Sequence, residues 1–134
     1  MIHGKYKHNS VPHNALFTIL ELLQDKGYDV YLTDTARTIK EHIDLYKRIY
    51  GAEWLDHIAW GSRHLPNWIY EGMLMAVDLK AKKIGSSNFL AGCELAELLR
   101  ECAKEIGVNI GLGIGALFCH VDIREHHTEW RYDY

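Results

Sequence analysis

Within Leu117–Arg124 the chain alternates from Cys119 on, with Cys119, Val121 and Ile123 interleaved by His120, Asp122 and Arg124. Side chains point to opposite faces of a strand every second residue, so this segment reads as a strand with one apolar face and one imidazole–carboxylate–guanidinium face. That pattern demands a sheet packed on a core from one side only. A second segment, Gly72-Met73-Leu74-Met75-Ala76-Val77-Asp78-Leu79, sets an aspartate in an apolar run that predicts a short strand over Met75–Leu79. An ionised carboxylate there is costly to bury unpaired, so Asp78 needs a metal ion, an arginine or a protonated histidine. A third segment, Trp60-Gly61-Ser62-Arg63-His64-Leu65-Pro66, puts a histidine on a loop.

The remaining elements follow from periodicity. Leu16, Ile19, Leu20 and Leu23 recur at helical spacing between Pro12 and Gly27, and Tyr28–Thr33 alternates like a strand. Thr38 and Glu41 form a capping box for a helix carrying Ile39, Ile43, Tyr46 and Tyr50 and ending near Gly51. Residues 52–74 lack a period and read mostly as loop. After Ser87 a strong helix carries Ala91, Leu95, Leu98, Leu99, Cys102 and Ile106 and closes at Gly107. Val108–Ile114 and Leu117–Ile123 are two strands around a glycine-rich turn. The order predicts one α+β domain spanning 1–134, a small antiparallel sheet with flanking helices, preceded by a polar arm (1–11) and followed by an aperiodic tail (125–134).

Length and composition narrow the classes. The 134 residues, 48% hydrophobic and 25% charged, suit one ordinary globular core. No apolar run approaches the roughly 18 residues of a membrane helix, and the N-terminus has no signal-peptide pattern. A net charge of −3 with scattered basic residues gives no reason to expect nucleic acid or an anionic membrane as partner. Cys93, Cys102 and Cys119, without CxxC spacing, read as thiols of a chain made in a reducing compartment. Nine histidines hint at metal or proton chemistry. His64, Asp78 and His120 together have the makeup of a catalytic zinc site, two imidazoles and a carboxylate with a fourth position left to water. The residues alone leave the other reading open, since polar groups on the solvent face of a strand are common.

In order along the chain, Ser62-Arg63-His64, then Gly72 and Ala76-Val77-Asp78, then the run Gly111/Gly113/Gly115, then His120-Val121-Asp122-Ile123-Arg124 and Trp130 resemble the signature of the D-alanyl-D-alanine carboxypeptidase/endopeptidase family of zinc peptidases, which includes phage endolysins. Leu32-Thr33-Asp34-Thr35-Ala36-Arg37 is similar to that family's strand ending in an arginine-bearing turn. The resemblance covers about residues 12–132. It implies a hedgehog/D-Ala-D-Ala-peptidase-like fold, one zinc per chain held by His64, Asp78 and His120, and a peptidoglycan stem or cross-link peptide as substrate. It further implies that Arg37 binds or polarises substrate, that Ser62 supports the His64 loop, and that Asp122 orients a neighbouring group. The expected protein is a monomer without nucleic-acid or membrane partners, made in the cytoplasm without a signal peptide and, as a lysis or virion-associated enzyme, acting at the cell wall or in the periplasm.

Two departures stand out. The stretch between His64 and Asp78 is longer than in that family, with the aromatic Pro66–Glu71 segment placing Trp68 as a substrate-cleft candidate. Leu117 occupies the position where several members carry the acidic general base. Asp122, on the same strand face as His120, is the expected proton acceptor, with Glu71 as alternative. The other class of function is a zinc-stabilised binding module with little catalysis. Plainer readings accompany several residues: Arg37 paired with Asp34 or Glu41, His57 on the surface, Trp130 folded back from the tail, and Cys119 packed in the core.

Overall fold

The computed structural model describes residues 1–65 and 73–134; the expectations on Pro66, Trp68, Glu71 and Gly72 fall outside them. In chain order the elements are β1 (Ile2–His3), β2 (Val11–Pro12), α1 (Asn14–Asp25), β3 (Tyr28–Asp34), α2 (Ile39–Tyr50), the single turn α3 (Trp54–His57), β4 (Met73–Leu74), β5 (Ala76–Lys83), α4 (Gly92–Ile106), β6 (Asn109–Ile114), β7 (Cys119–Arg124) and β8 (Thr128–Arg131). The α+β class is as expected. Six strands form the main sheet in the order β1-β3-β5-β7-β6-β8, and β2 pairs with β4 separately.

The sheet is mixed, not simply antiparallel. Its four central strands are antiparallel to their neighbours, but β1 joins β3 and β8 joins β6 in parallel. Both additions come from segments that carry too little periodicity to read as strands. Ile2–His3 pairs with Val30–Tyr31, so the N-terminal segment is no free arm. Thr128–Arg131 lies along Gly111–Ile114, so the C-terminal segment is an edge strand. Two- and four-residue strands show no alternation of their own; they are held by the ladder a longer neighbour offers.

One face of the sheet packs on α1 and α4. Leu16, Ile19, Leu20 and Leu23 of α1 and Leu95, Leu99 and Cys102 of α4 are fully buried against Val77, Leu79, Ala81, Ile110, Leu112 and Val121. Each such leucine contributes about 1.5–3 kcal/mol relative to an exposed position, which fixes the register of every central strand. Cys119 belongs to this core, its Sγ donating to the Gly92 carbonyl at 3.2 Å, and burial pushes the thiol up to about 12. It is no nucleophile at neutral pH.

On the opposite face, α2 lends Tyr46 and Tyr50 to a cleft shared with Asp78 and His120. Its capping box forms as expected, Thr38 Oγ1 accepting from Glu41 N–H at 3.1 Å and Glu41 accepting from Thr38 N–H at 3.0 Å. The apolar residues expected to anchor this helix do so only partly. Ile39 is 58% exposed, and the one residue of α2 that is fully buried is His42.

Edge strand β8 is tied to α4 by Arg100, whose Nε and Nη2 both donate to Glu129 at 2.7 Å. The Arg100 hydrogen bonds hold the Glu129 carboxyl down at about 2, below its ordinary 4.5. A depressed carboxylate stabilises the fold above its unfolded value and loses that contribution as pH falls through the folded one. Glu129→Gln is therefore expected to lower stability by about 0.5–1 kcal/mol at neutral pH, the pair being partly solvent-screened. In urea titrations the wild-type and variant midpoints should converge between pH 4.5 and about 2. A difference that persists at the acid end would mean the pair is not its source.

Candidate metal centre

The register lines up one row of residues across five strands: Asp34 beside Asp78, Asp78 beside His120, His120 beside Gly113, and Gly113 beside Trp130. Asp34 joins this row through a β-bulge. Leu32 pairs with Leu79 while Asp34 pairs with Asp78, so Thr33 is the extra residue that turns Asp34 onto the site face. The row explains the glycine run. A Cβ on Gly113 would stand 2.6 Å from the Tyr132 ring and 2.7 Å from Trp130 Nε1, and one on Gly111 would stand 2.4 Å from Asp122 Oδ1. These glycines are the floor over which the side chains of β7 and β8 lie.

Three donor atoms meet above this floor. His64 Nε2, His120 Nδ1 and Asp78 Oδ1 form a triangle with all three separations at 3.0 Å. His64 is 1% and His120 4% exposed. Outer partners decide which ring nitrogens carry protons. His64 Nδ1–H donates to the Thr35 carbonyl, and His120 Nε2–H donates to Asp122 Oδ2 at 2.6 Å. In the neutral rings the inward-facing atoms are then lone pairs, and they point at one another and at a carboxylate. Such a cluster is satisfied by a metal ion or a proton at its centre.

His64, Asp78 and His120 can hold a metal ion. Tetrahedral zinc with bonds of about 2.0–2.2 Å asks for ligand separations of about 3.3 Å, so the triangle fits with a few tenths of an ångström of opening. A proton can fill the same place: with the rings protonated toward Asp78, the charge of His64 and the hydrogen bonds from both imidazoles outweigh the burial that raises the Asp78 carboxyl and hold it far below the usual carboxylate range. Burial lowers His120, and the Asp122 and Asp78 carboxylates more than reverse this. A metal would replace the proton that these carboxylates attract to the cluster.

Asp122 lies behind this centre. It is 0% exposed, and Arg124 donates to its Oδ1 at 2.6 Å and its Oδ2 at 3.0 Å while His120 takes Oδ2 from the other side. It does not line the cleft, so the expectation that it accepts the water's proton is not supported by its position. Its geometry is that of an orienting group, fixing the His120 ring and tautomer. If the centre holds a metal, Asp122→Asn is expected to weaken its binding by about 10–100-fold, because an amide nitrogen facing Nε2 would move the ring proton to the metal side. A competition titration with a coloured chelator would measure this, and an unchanged affinity would refute the orienting role.

The other expected residues are placed as follows. Arg37 is 10% exposed on its side chain; its Nε donates to Asp34 Oδ2 at 2.5 Å and its Nη2 stands 3.5 Å from Asp78 Oδ2. It is both paired with Asp34 and turned to the centre. Its backbone N–H donates to the His64 carbonyl at 2.8 Å, which locks the two loops together. Ser62 Oγ accepts from His64 N–H at 3.4 Å and lines the cleft. His57 lines it too, stacked on Tyr50 with centroids 3.9 Å apart. Leu117 is 49% exposed in the turn between β6 and β7.

Sequence reasoning missed four contributors: Asp34 as a site residue, the Thr35 carbonyl, His42, and the tail's role as a wall. Trp130 lies against His120 with centroids 5.3 Å apart and carries the Arg124 guanidinium 4.9 Å above its ring. The glycines at alternate positions 111, 113 and 115 were the readable signal that something flat must cover β6. A cleft of about 610 Å³ opens above Asp78 and His120, bounded by Tyr46 and Tyr50 on one side and Phe118, Trp130, Tyr132 and Tyr134 on the other. Among its described lining residues the carboxylates are Asp34 and Asp78, against Arg37, Arg48, Arg63, Lys80 and Arg124. Against known proteins, no family model, curated protein or solved structure matches the chain.

Proposed function

We propose that the chain is a zinc peptidase that hydrolyses peptide bonds in peptidoglycan stem or cross-link peptides, on a hedgehog/D-Ala-D-Ala-peptidase-like fold. The observation that carries this reading is the convergence of three lone-pair donors, their tautomers locked from behind, at the floor of an open cleft. His64, Asp78 and His120 would hold one zinc, which when bound supplies a Lewis acid and a water with a pKa of about 7. Arg37, clamped by Asp34, presents a guanidinium edge to a substrate carbonyl or carboxylate oxygen, the planar geometry such a fork suits. Ser62 braces the His64 loop. The basic lining favours a peptide bearing carboxylates, as wall peptides do, and the aromatic walls exclude bulk water from the bond to be cut.

Two sequence-order features support the same reading: Ser-x-His before Ala-x-Asp, and His-x-Asp-x-Arg after a glycine run. A second reading has its own support. With Leu117 where an acid is expected and Asp122 engaged behind His120, a zinc-stabilised binding module uses the same centre without turnover. No helix among the described residues is long and apolar enough to cross a membrane.

The experiment is a zymogram on purified cell walls combined with metal analysis of protein from unsupplemented medium. The peptidase reading expects about one zinc per chain and clearing that a chelator abolishes and zinc restores. Bound zinc without clearing selects the binding module. Protein that holds no zinc overturns both.

A further inference from the structure

His42 is the only residue of α2 with no exposed surface, and it is not one of the three residues that could hold the metal. It sits behind Arg37. The Arg37 Nη1 and His42 Nδ1 atoms are 3.1 Å apart, and His42 Nε2 is 2.8 Å from the Ala59 carbonyl oxygen. A guanidinium only donates and a carbonyl only accepts, so the ring is fixed with its proton on Nε2 and its lone pair on Nδ1. Burial and the neighbouring Arg37 charge both keep this imidazole neutral, against the pull of the Ala59 carbonyl. Tyr46 and Trp60 flank the ring, with centroids 5.0 and 6.1 Å away.

The guanidinium is thereby held from three directions: Asp34 on Nε, Asp78 near Nη2, and His42 on Nη1. Two of these partners are carboxylates that would draw Arg37 down onto the sheet. The third is a neutral acceptor on a different element. We infer that His42 is a positioning residue, holding Arg37 raised toward the cleft and coupling the 58–64 loop and α2 to the substrate-binding arginine. A neutral imidazole suits this task, since a third carboxylate would add a buried negative charge and a lysine would repel Arg37. The inference rests on the peptidase reading for its effect on turnover, and on geometry alone for the Arg37 contact.

Two variants separate positioning from simple packing. Asparagine places its Oδ1 where the imidazole Nδ1 stands, so His42→Asn keeps the acceptor for Arg37. Glutamine places its amide nitrogen near Nε2, so His42→Gln keeps the donor to Ala59 and loses the acceptor. On a wall-peptide substrate His42→Gln is expected to lose about tenfold in kcat/KM at unchanged zinc content, and His42→Asn to recover most of it. Equal losses, no loss, or the reverse order would overturn the inference. A readout independent of turnover is NMR of the metal-free protein. The His42 ring should show a neutral imidazole protonated on Nε2, and the Arg37 Nε–H signal should be sharp in wild type and His42→Asn but exchange-broadened in His42→Gln. An Nδ1-protonated ring, or an Arg37 signal indifferent to both variants, would also overturn it. Wild type without hydrolysis but with these NMR signatures would count against the peptidase reading and leave the Arg37–His42 contact established.

Discussion

On the proposed peptidase reading, replacing His120 with alanine is expected to reduce bound zinc from about one per chain to a trace and to abolish wall clearing. The loss should exceed the roughly 100-fold that removing an outer partner such as Asp122 costs, because one of three ligands is gone. Asp78 and His64 alone offer two donors to an ion that takes three protein ligands in catalytic sites. The fold should survive the change. Asp122 keeps Arg124 on both oxygens, at 2.6 and 3.0 Å, so its buried charge is not abandoned. Metal analysis and circular dichroism on the same preparation give the answer. A His120→Ala protein that is folded and still holds stoichiometric zinc would remove this residue from the ligand set.

The second large effect concerns stability and lies away from the donors. Gly92 opens α4 with its backbone pressed on the turn between β6 and β7: its N–H donates to the Ala116 carbonyl at 2.8 Å, and its carbonyl receives Cys119 Sγ. A Cβ there would fall 1.7 Å from the Gly115 carbonyl oxygen and 3.0 Å from that of Phe118. Both are backbone atoms that no rotamer change can move aside. Gly92→Ala is expected to cost about 3 kcal/mol, the upper end for overpacking, despite the better helix propensity of alanine. That is a large part of the 5–15 kcal/mol that holds an ordinary domain together. Gly61→Ala is the control: its Cβ would meet nothing within 4 Å, and it should shift the urea midpoint by about 0.5 kcal/mol or less. Equal midpoints for the two variants would mean that α4 does not make this contact in solution. The prediction bears on the site, because the turn that Gly92 braces leads directly into Cys119 and His120.

Much of the centre was legible from local pattern. His120, Asp122 and Arg124 share a face because a strand alternates, and alternation is a property of the backbone that no packing changes. Asp78 announced itself by cost, as a carboxylate inside Ala-Val-Asp-Leu. The Thr38–Glu41 capping box and the helix stop at Gly107 followed from backbone groups that a helix end leaves unpaired. The role of Asp122 was half legible. Its face could be read, but which of its neighbours would claim its oxygens could not, because that depends on the rotamers of His120 and Arg124 packed over Gly111.

The rest was decided between elements. Asp34 enters the site by a bulge, a pairing mismatch of one residue between β3 and β5 that neither strand shows by itself. Nothing in the helical pattern singles out His42, and only the approach of the Ala59 loop to α2 makes it the buried acceptor for Arg37. The two end segments became strands because longer strands left open ladders beside them. Sequence alone therefore determined which residues could act together along one strand and which of them were too polar to be buried without a partner. The tertiary structure determined which lone pairs meet, because the 3.0 Å triangle is made by a loop and two strands far apart in sequence, on a sheet whose other face is buried by α1 and α4.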